Sequence, residues 1–155
     1  MVDAVLFEME GVVFETREPR LASLRDAMAR HGLDVIIEAE MVEGLSSRAA
    51  IVESFARAAE PIDDVLADLL AARAERAFSS RLATAGVALS PGAEAFIRSA
   101  AHGARLGVVT RASRADADAM LRLSGLADMF TVLVCADDTL VGKPSPEAYR
   151  TALDR

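Results

Sequence analysis

Two glutamates, a glycine, a strand-end threonine and a solitary lysine carry the chemical information in this chain. Glu8 and Glu10 follow a short apolar run, Ala4-Val5-Leu6-Phe7, and Gly11 comes directly after them. If extended geometry persists past Phe7, residues two apart point to the same side, so both carboxylates can converge on one ligand or metal. Gly11 then lets the backbone turn sharply or approach that ligand. Thr110 and Arg111 end a second apolar run, and Asp137 and Asp138 end a third, with Lys143 close behind. A hydroxyl and a cation facing two carboxylates suit a phosphate ester. The hydroxyl donates to a phosphate oxygen, the ammonium offsets charge, and a carboxylate sharing its charge with a metal can act as nucleophile. Lys143 is the one lysine in a chain whose other basic residues are arginines. A compact point charge is therefore wanted there, or the residue is an ordinary loop lysine.

The elements that must position these groups alternate between strand and helix. The run before Glu8 lacks polar alternation, as expected of a parallel strand covered on both faces. From Thr16 to about Leu82 the pattern is helical. Helices are expected behind Pro19, over Val35–Val42, over the stretch carrying Ile51, Val52 and Phe55, and from Pro61 with Ile62, Val65, Leu66, Leu69 and Leu70 as an apolar stripe. Gly44 to Arg48 reads as a polar break between helices. From Ser90 the chain returns to strands at Arg105–Val109 and Phe130–Cys135, separated by a helix with a Ser113/Asp116 capping box and followed by a helix from Glu147. In open parallel sheets ligands sit beyond the carboxyl ends of the strands, where all these polar residues fall.

Composition narrows the function. The 155 residues carry a formal charge of -7, which disfavours nucleic acid and anionic membrane as partners. Neither a signal peptide nor a membrane-length apolar stretch is legible. Cys135 is the single cysteine, so no intramolecular disulfide forms and a cytoplasmic protein is expected. His31 and His102 each precede a glycine at a helix end and read as C-terminal caps.

Glu8-x-Glu10-Gly11-Val12-Val13-x-Glu15-Thr16 resembles the first motif of the haloacid dehalogenase-like phosphohydrolases, written D-x-D-G-[TV]-[LVI]-x-D-[ST]. Val108-Val109-Thr110 resembles the second motif, and Gly142-Lys143-Pro144-Ser145-Pro146 the third. Ser113-Arg114 and Asp137-Asp138 are placed as in the phosphoglucomutase-like and phosphoglycolate phosphatase-like branch. The resemblance implies an α/β fold, a Rossmann-like parallel sheet core formed by 1–15 and 83–155, with a helical cap inserted over 16–82. It places Glu8 at the nucleophile, Glu10 at the acid/base position and both at an Mg2+ site. Gly11, Thr110 and Arg111 would hold the phosphate, Lys143 would offset its charge, and Ser47 and Arg48 would select the substrate from the cap. Arg111 and Asp137 also fit plain loop structure.

The substrate implied is a small phosphorylated metabolite, handled by a phosphohydrolase or phosphomutase. Two departures weigh against turnover. Each Glu reaches roughly 1.3 to 1.5 Å further than Asp, and a shift of about 1 Å can cost a rate on the order of a hundredfold. The family's fourth motif, an acidic pair completing the Mg2+ site, has no counterpart in the 155 residues. The core is thus expected to be incomplete at its C-terminal side, with weak or absent Mg2+ binding and a chain cut from a longer one. The first strand would be left as an exposed edge able to form a homodimer. A non-catalytic phospho-ligand-binding or regulatory protein is the alternative, and a purely structural partner protein the third reading.

Overall fold

The computed structural model describes residues 2–140 and 145–155. Its elements run β1 (Ala4–Phe7), α1 (Arg17–Ala29), α2 (Ala39–Gly44), α3 (Ser47–Arg57) and α4 (Asp64–Ala85). They continue with α5 (Ala93–Ala100), β2 (Arg105–Val109), α6 (Arg114–Leu123), β3 (Val132–Val134) and α7 (Glu147–Leu153). Two compact units result, Met1–Glu15 with Gly86–Arg155, and Thr16–Ala85. The second boundary falls later than the expected 82/83 because α4 continues to Ala85.

The first unit is α/β, with a parallel sheet of order β1-β2-β3 among the described residues. Phe7 pairs with Val108, and Val109 with Val134. The central strand β2 is buried from Leu106 through Val109, which explains its uninterrupted apolar run. Gly107 has a packing reason of its own, since a Cβ there would lie 2.7 Å from Leu6 Cδ2. Ala148 and Ala152 of α7 cover one face against Val109 and Val134. Phe7 meets Phe130 edge-on, with ring centroids 5.7 Å apart. β3 is shorter than the expected Phe130–Cys135 because Ala127–Met129 form a 3-10 turn and Cys135 begins another. The His102 ring bonds the Arg98 carbonyl at 2.8 Å, the helix-end role read from its position.

In the second unit Leu24 and Met28 of α1, Ile51 and Phe55 of α3, and Leu70 and Ala74 of α4 share one apolar cluster. Several expected details shift. The second helix begins at Ala39, not Val35, because residues 35–38 are not helical and Ile37 is buried from there. α4 starts three residues after Pro61, where Asp63 Oδ1 accepts the Leu66 amide at 2.7 Å and acts as the cap. Its buried face is Ala67, Leu70, Ala74, Phe78 and Leu82, whereas Val65 is 79% exposed. Leu70 of the expected stripe is buried and Ile62 and Leu66 pack against the same cluster, while alanines supply much of the rest of the inward face. The expected break over Gly44 to Arg48 is narrower too. Leu45 and Ser46 separate two helices, Ser46 Oγ accepts the Ala49 amide at 3.2 Å, and Ser47 and Arg48 lie in the first turn of α3.

Candidate functional site

The chain leaves β1 into a turn closed by backbone hydrogen bonds. The Val13 and Phe14 amides both donate to the Met9 carbonyl, at 2.9 and 3.0 Å, and the Gly11 amide donates to Phe14 O at 2.8 Å. Gly11 has φ +77, a conformation that other residues adopt at a cost, and open space surrounds its Cα. With its amide committed to Phe14, Gly11 serves the turn and the close approach rather than direct donation to a phosphate. Met9, Val13 and Phe14 are completely buried. Glu15 and Ser90 amides bond Ala88 O and Val13 O, each at 2.9 Å, which anchors the turn from its far side.

Glu8 and Glu10 flank Met9 and are both partly exposed, so the inward/outward alternation outlasts the strand. Glu8 Oε1 accepts the Met9 amide at 3.0 Å. The extra methylene of a glutamate allows this return to its own backbone. Phe7, the last residue of β1, pairs with Val108, so Glu8 and Glu10 leave the sheet at the same end as Thr110. Thr110 is 4% exposed, its amide donates to Val134 O at 2.9 Å, and its Oγ1 accepts the Ala112 amide at 3.1 Å. The hydroxyl hydrogen has no acceptor among the described residues. A buried donor left over at a strand end is free to donate to a ligand or an ordered water. Arg111 follows half-buried at the same end.

The loop carrying Thr110 is held by the end of β3. Asp137 Oδ2 accepts the Arg114 amide at 2.5 Å, and Asp138 Oδ2 accepts the Cys135 amide at 2.8 Å and pairs with the Arg114 guanidinium. Arg155 Nη2 donates to Asp138 Oδ1 at 3.2 Å, and Ala136 N to Ala112 O at 3.1 Å. Asp137 and Asp138 therefore brace the site. Burial pushes the Asp138 carboxyl up, but the Cys135 amide and the Arg155 and Arg114 guanidiniums outweigh it and hold it below its ordinary 3.8. Burial likewise pushes the Cys135 thiol up to about 11, despite Arg114 nearby. Because the folded-state pKa of Asp138 lies below the unfolded one, its stabilisation is complete above the ordinary carboxylate range. It is lost as pH falls through the lowered value. Denaturant midpoints should thus fall more steeply below about pH 4 in the parent than in Asp138→Asn. Parallel pH profiles would remove Asp138 from the acid response.

In the helical unit, Ser47 Oγ donates to Glu75 Oε1 at 2.5 Å, and Arg48 pairs with Asp68 at 2.6 Å and with Asp64. Hydrogen bonds to Asp68 and Asp64 raise the Arg48 pKa further. Both residues therefore tie α3 to α4. Glu75 also receives Arg20 at 2.6 Å, whose guanidinium lies 3.7 Å from the Phe78 ring centroid. No sequence reading found this Arg20–Glu75–Ser47 cluster, because partners 55 and 28 residues apart leave no local pattern. Lys143, Gly142 and Pro144 lie outside the described residues. No group of three or more metal-ligating side chains converges among the described residues. Mg2+ commonly takes one or two carboxylates and fills its shell with water and substrate oxygens, so the hard oxygens of Glu8 and Glu10 fit it.

A sequence model of the haloacid dehalogenase-like hydrolases matches residues 5–155. The chain belongs to this family. It is 31% identical to the protein CbbY of Rhodobacter capsulatus, over 97% of this chain and 70% of that relative. It is 32% identical to the phosphoglycolate phosphatase of Rhodospirillum rubrum, over 99% of this chain and 66% of the relative. The structure of CbbY from Rhodobacter sphaeroides in complex with phosphate matches with a TM-score of 0.79 at 28% identity, covering 99% of this chain and 72% of that one. A variant of the same protein in complex with xylulose-1,5-bisphosphate matches equally well. By the first-motif resemblance, Glu8, Glu10 and Glu15 stand where that motif is written with aspartates.

Proposed function

We propose that this chain is a phosphohydrolase or phosphomutase acting on a small phosphorylated metabolite, bound beyond the carboxyl ends of β1 and β2. The buried hydroxyl of Thr110, its hydrogen without an acceptor among the described residues and at the same sheet end as Glu8 and Glu10, is the observation that carries this reading. CbbY relatives seen with phosphate and with a sugar bisphosphate support the substrate class. Thr110 donates to a phosphoryl oxygen, and Lys143, by the third-motif resemblance, offsets its charge. The Glu8 carboxylate attacks phosphorus and forms a glutamyl phosphate while the leaving alkoxide takes a proton from Glu10. Attack of water, deprotonated by Glu10, then releases phosphate or, in a mutase, a second hydroxyl of the substrate accepts the phosphoryl group. Mg2+, held by Glu8 and Glu10, would supply charge neutralisation between the carboxylate and the phosphate. The helical unit, with Ser47 and Arg48, acts as the substrate-selecting cap, and Arg111 assists at the phosphate.

A second reading has its own observation. Glu8 Oε1 is folded back onto the Met9 amide, which suits a phospho-ligand-binding or regulatory protein lacking turnover. Hydrolysis of an aryl phosphate in Mg2+ separates the two. Catalysis predicts Mg2+-dependent turnover abolished in Glu8→Gln, and absence of turnover with phosphate binding retained selects the second reading. The cytoplasm is the proposed location, in keeping with one buried free thiol.

A second copy of the chain is the proposed partner at β1, an edge strand of the described sheet with its outer main chain unpaired among the described residues. Sedimentation velocity should show a dimer at high concentration, and a clean monomer would remove this contact.

A further inference from the structure

The arginines of the helical unit divide sharply. Arg17 pairs with Glu40 at 3.8 Å, Arg20 with Glu75 at 2.6 Å, Arg57 with Glu53 at 2.9 Å, and Arg48 and Arg81 with aspartates. Arg25 donates to Ile37 O at 3.3 Å. The guanidiniums of Arg30, Arg73 and Arg76 make no hydrogen bond or ion pair among the described residues, and all three residues line one open cleft of ≈ 380 Å³ between α1 and α4. The chance of three unpartnered cations sharing a wall is low in a chain of formal charge -7 where every other cap arginine has found an acceptor.

Local effects do not account for the placement. Arg30 follows the C-terminal end of α1, where a cation complements the helix dipole. Arg73 and Arg76 have no such reason, since they sit mid-helix in α4 at a spacing of three, where like charges repel. Neither has an acidic residue three or four positions away. Asp26 is the single carboxylate lining the cleft, and Arg81 already neutralises it. Ala27 and Ala77 complete the lining with small side chains and keep the cleft open.

We propose that this cleft is a binding site for a small phosphate-bearing molecule, separate in its residues from the strand-end site. Guanidinium forks match phosphate oxygens in pairs, and three of them exceed what a monovalent ion needs. The volume falls in the range of small-ligand sites, about 300 to 1,000 Å³. Asp26 offers an acceptor for a ligand hydroxyl beside the cations. The ligand is thus a phosphorylated, hydroxylated metabolite, and occupancy would offset the Arg73/Arg76 repulsion and stiffen α1 against α4.

Pyrophosphate titrated into the 15N-labelled chain, with ionic strength held constant by sodium chloride, tests the assignment. Saturable amide shifts are expected over Ala27–Arg30 and Arg73–Ala77. The Arg73→Gln/Arg76→Gln variant should weaken that response by at least about tenfold, Arg30→Gln should weaken it as well, and Arg57→Gln should leave it unchanged. Equal shifts with sodium chloride alone, or an undiminished response in both cleft variants, would overturn the proposal. Shifts confined to Glu8–Gly11 and Thr110–Ser113 would do so too, while leaving the strand-end site intact.

Discussion

Thr110→Val should bind inorganic phosphate about tenfold to a hundredfold more weakly than the parent, the worth of one hydrogen bond to a charged group. The substitution keeps the shape of the side chain and removes a buried donor whose hydrogen is uncommitted among the described residues. It also removes the acceptor of the Ala112 amide, so a stability loss of about 1 to 3 kcal/mol accompanies it. Thr110→Ser separates the two effects, since it retains both donor and acceptor and should bind phosphate nearly as the parent does. Calorimetric titration of the three chains checks this. Equal affinity in Thr110→Val would take Thr110 out of the site.

Phe78→Ala should destabilise the helical unit by about 3 to 5 kcal/mol, the range for emptying a buried aromatic site. Phe78 is completely buried on the inward stripe of α4. Its ring also carries the Arg20 guanidinium at 3.7 Å, a contact worth roughly 1 kcal/mol. Arg20 is in turn bonded to Glu75, which receives Ser47, so the cavity loosens the support of the first turn of α3. Phe96→Ala makes the comparison, since Phe96 is 60% exposed and should cost far less. Urea unfolding measures both, and similar losses would mean that Phe78 does not anchor the unit.

The strands and their polar ends were legible because their signal is local. An apolar run stopping at Glu8 or at Thr110 marks a buried parallel strand and its carboxyl end without knowledge of any partner. The Ser113 cap was legible for the same reason, and its Oγ accepts the Asp116 amide at 3.2 Å. The inward face of α4 was legible in part: Ile62, Leu66 and Leu70 pack inward, but Ala67 and Ala74 bury as fully as leucines while contributing little to a hydrophobic pattern. Its start was missed because Pro61 signals a helix that Asp63 actually caps. Side-chain commitments were the least legible. Nothing in the spacing of Ser47, Arg48 and Gly11 says that two would bind acids of α4 and the third would give its amide to Phe14.

The central claim is that phosphate binds beyond β1 and β2, and the most direct measurement is an amide-resolved titration of the parent chain with inorganic phosphate in Mg2+. Saturable shifts should appear over Glu8–Val12 and Thr110–Ser113 and require about tenfold to a hundredfold more phosphate in Thr110→Val. Shifts absent from both segments at saturating phosphate would contradict the account.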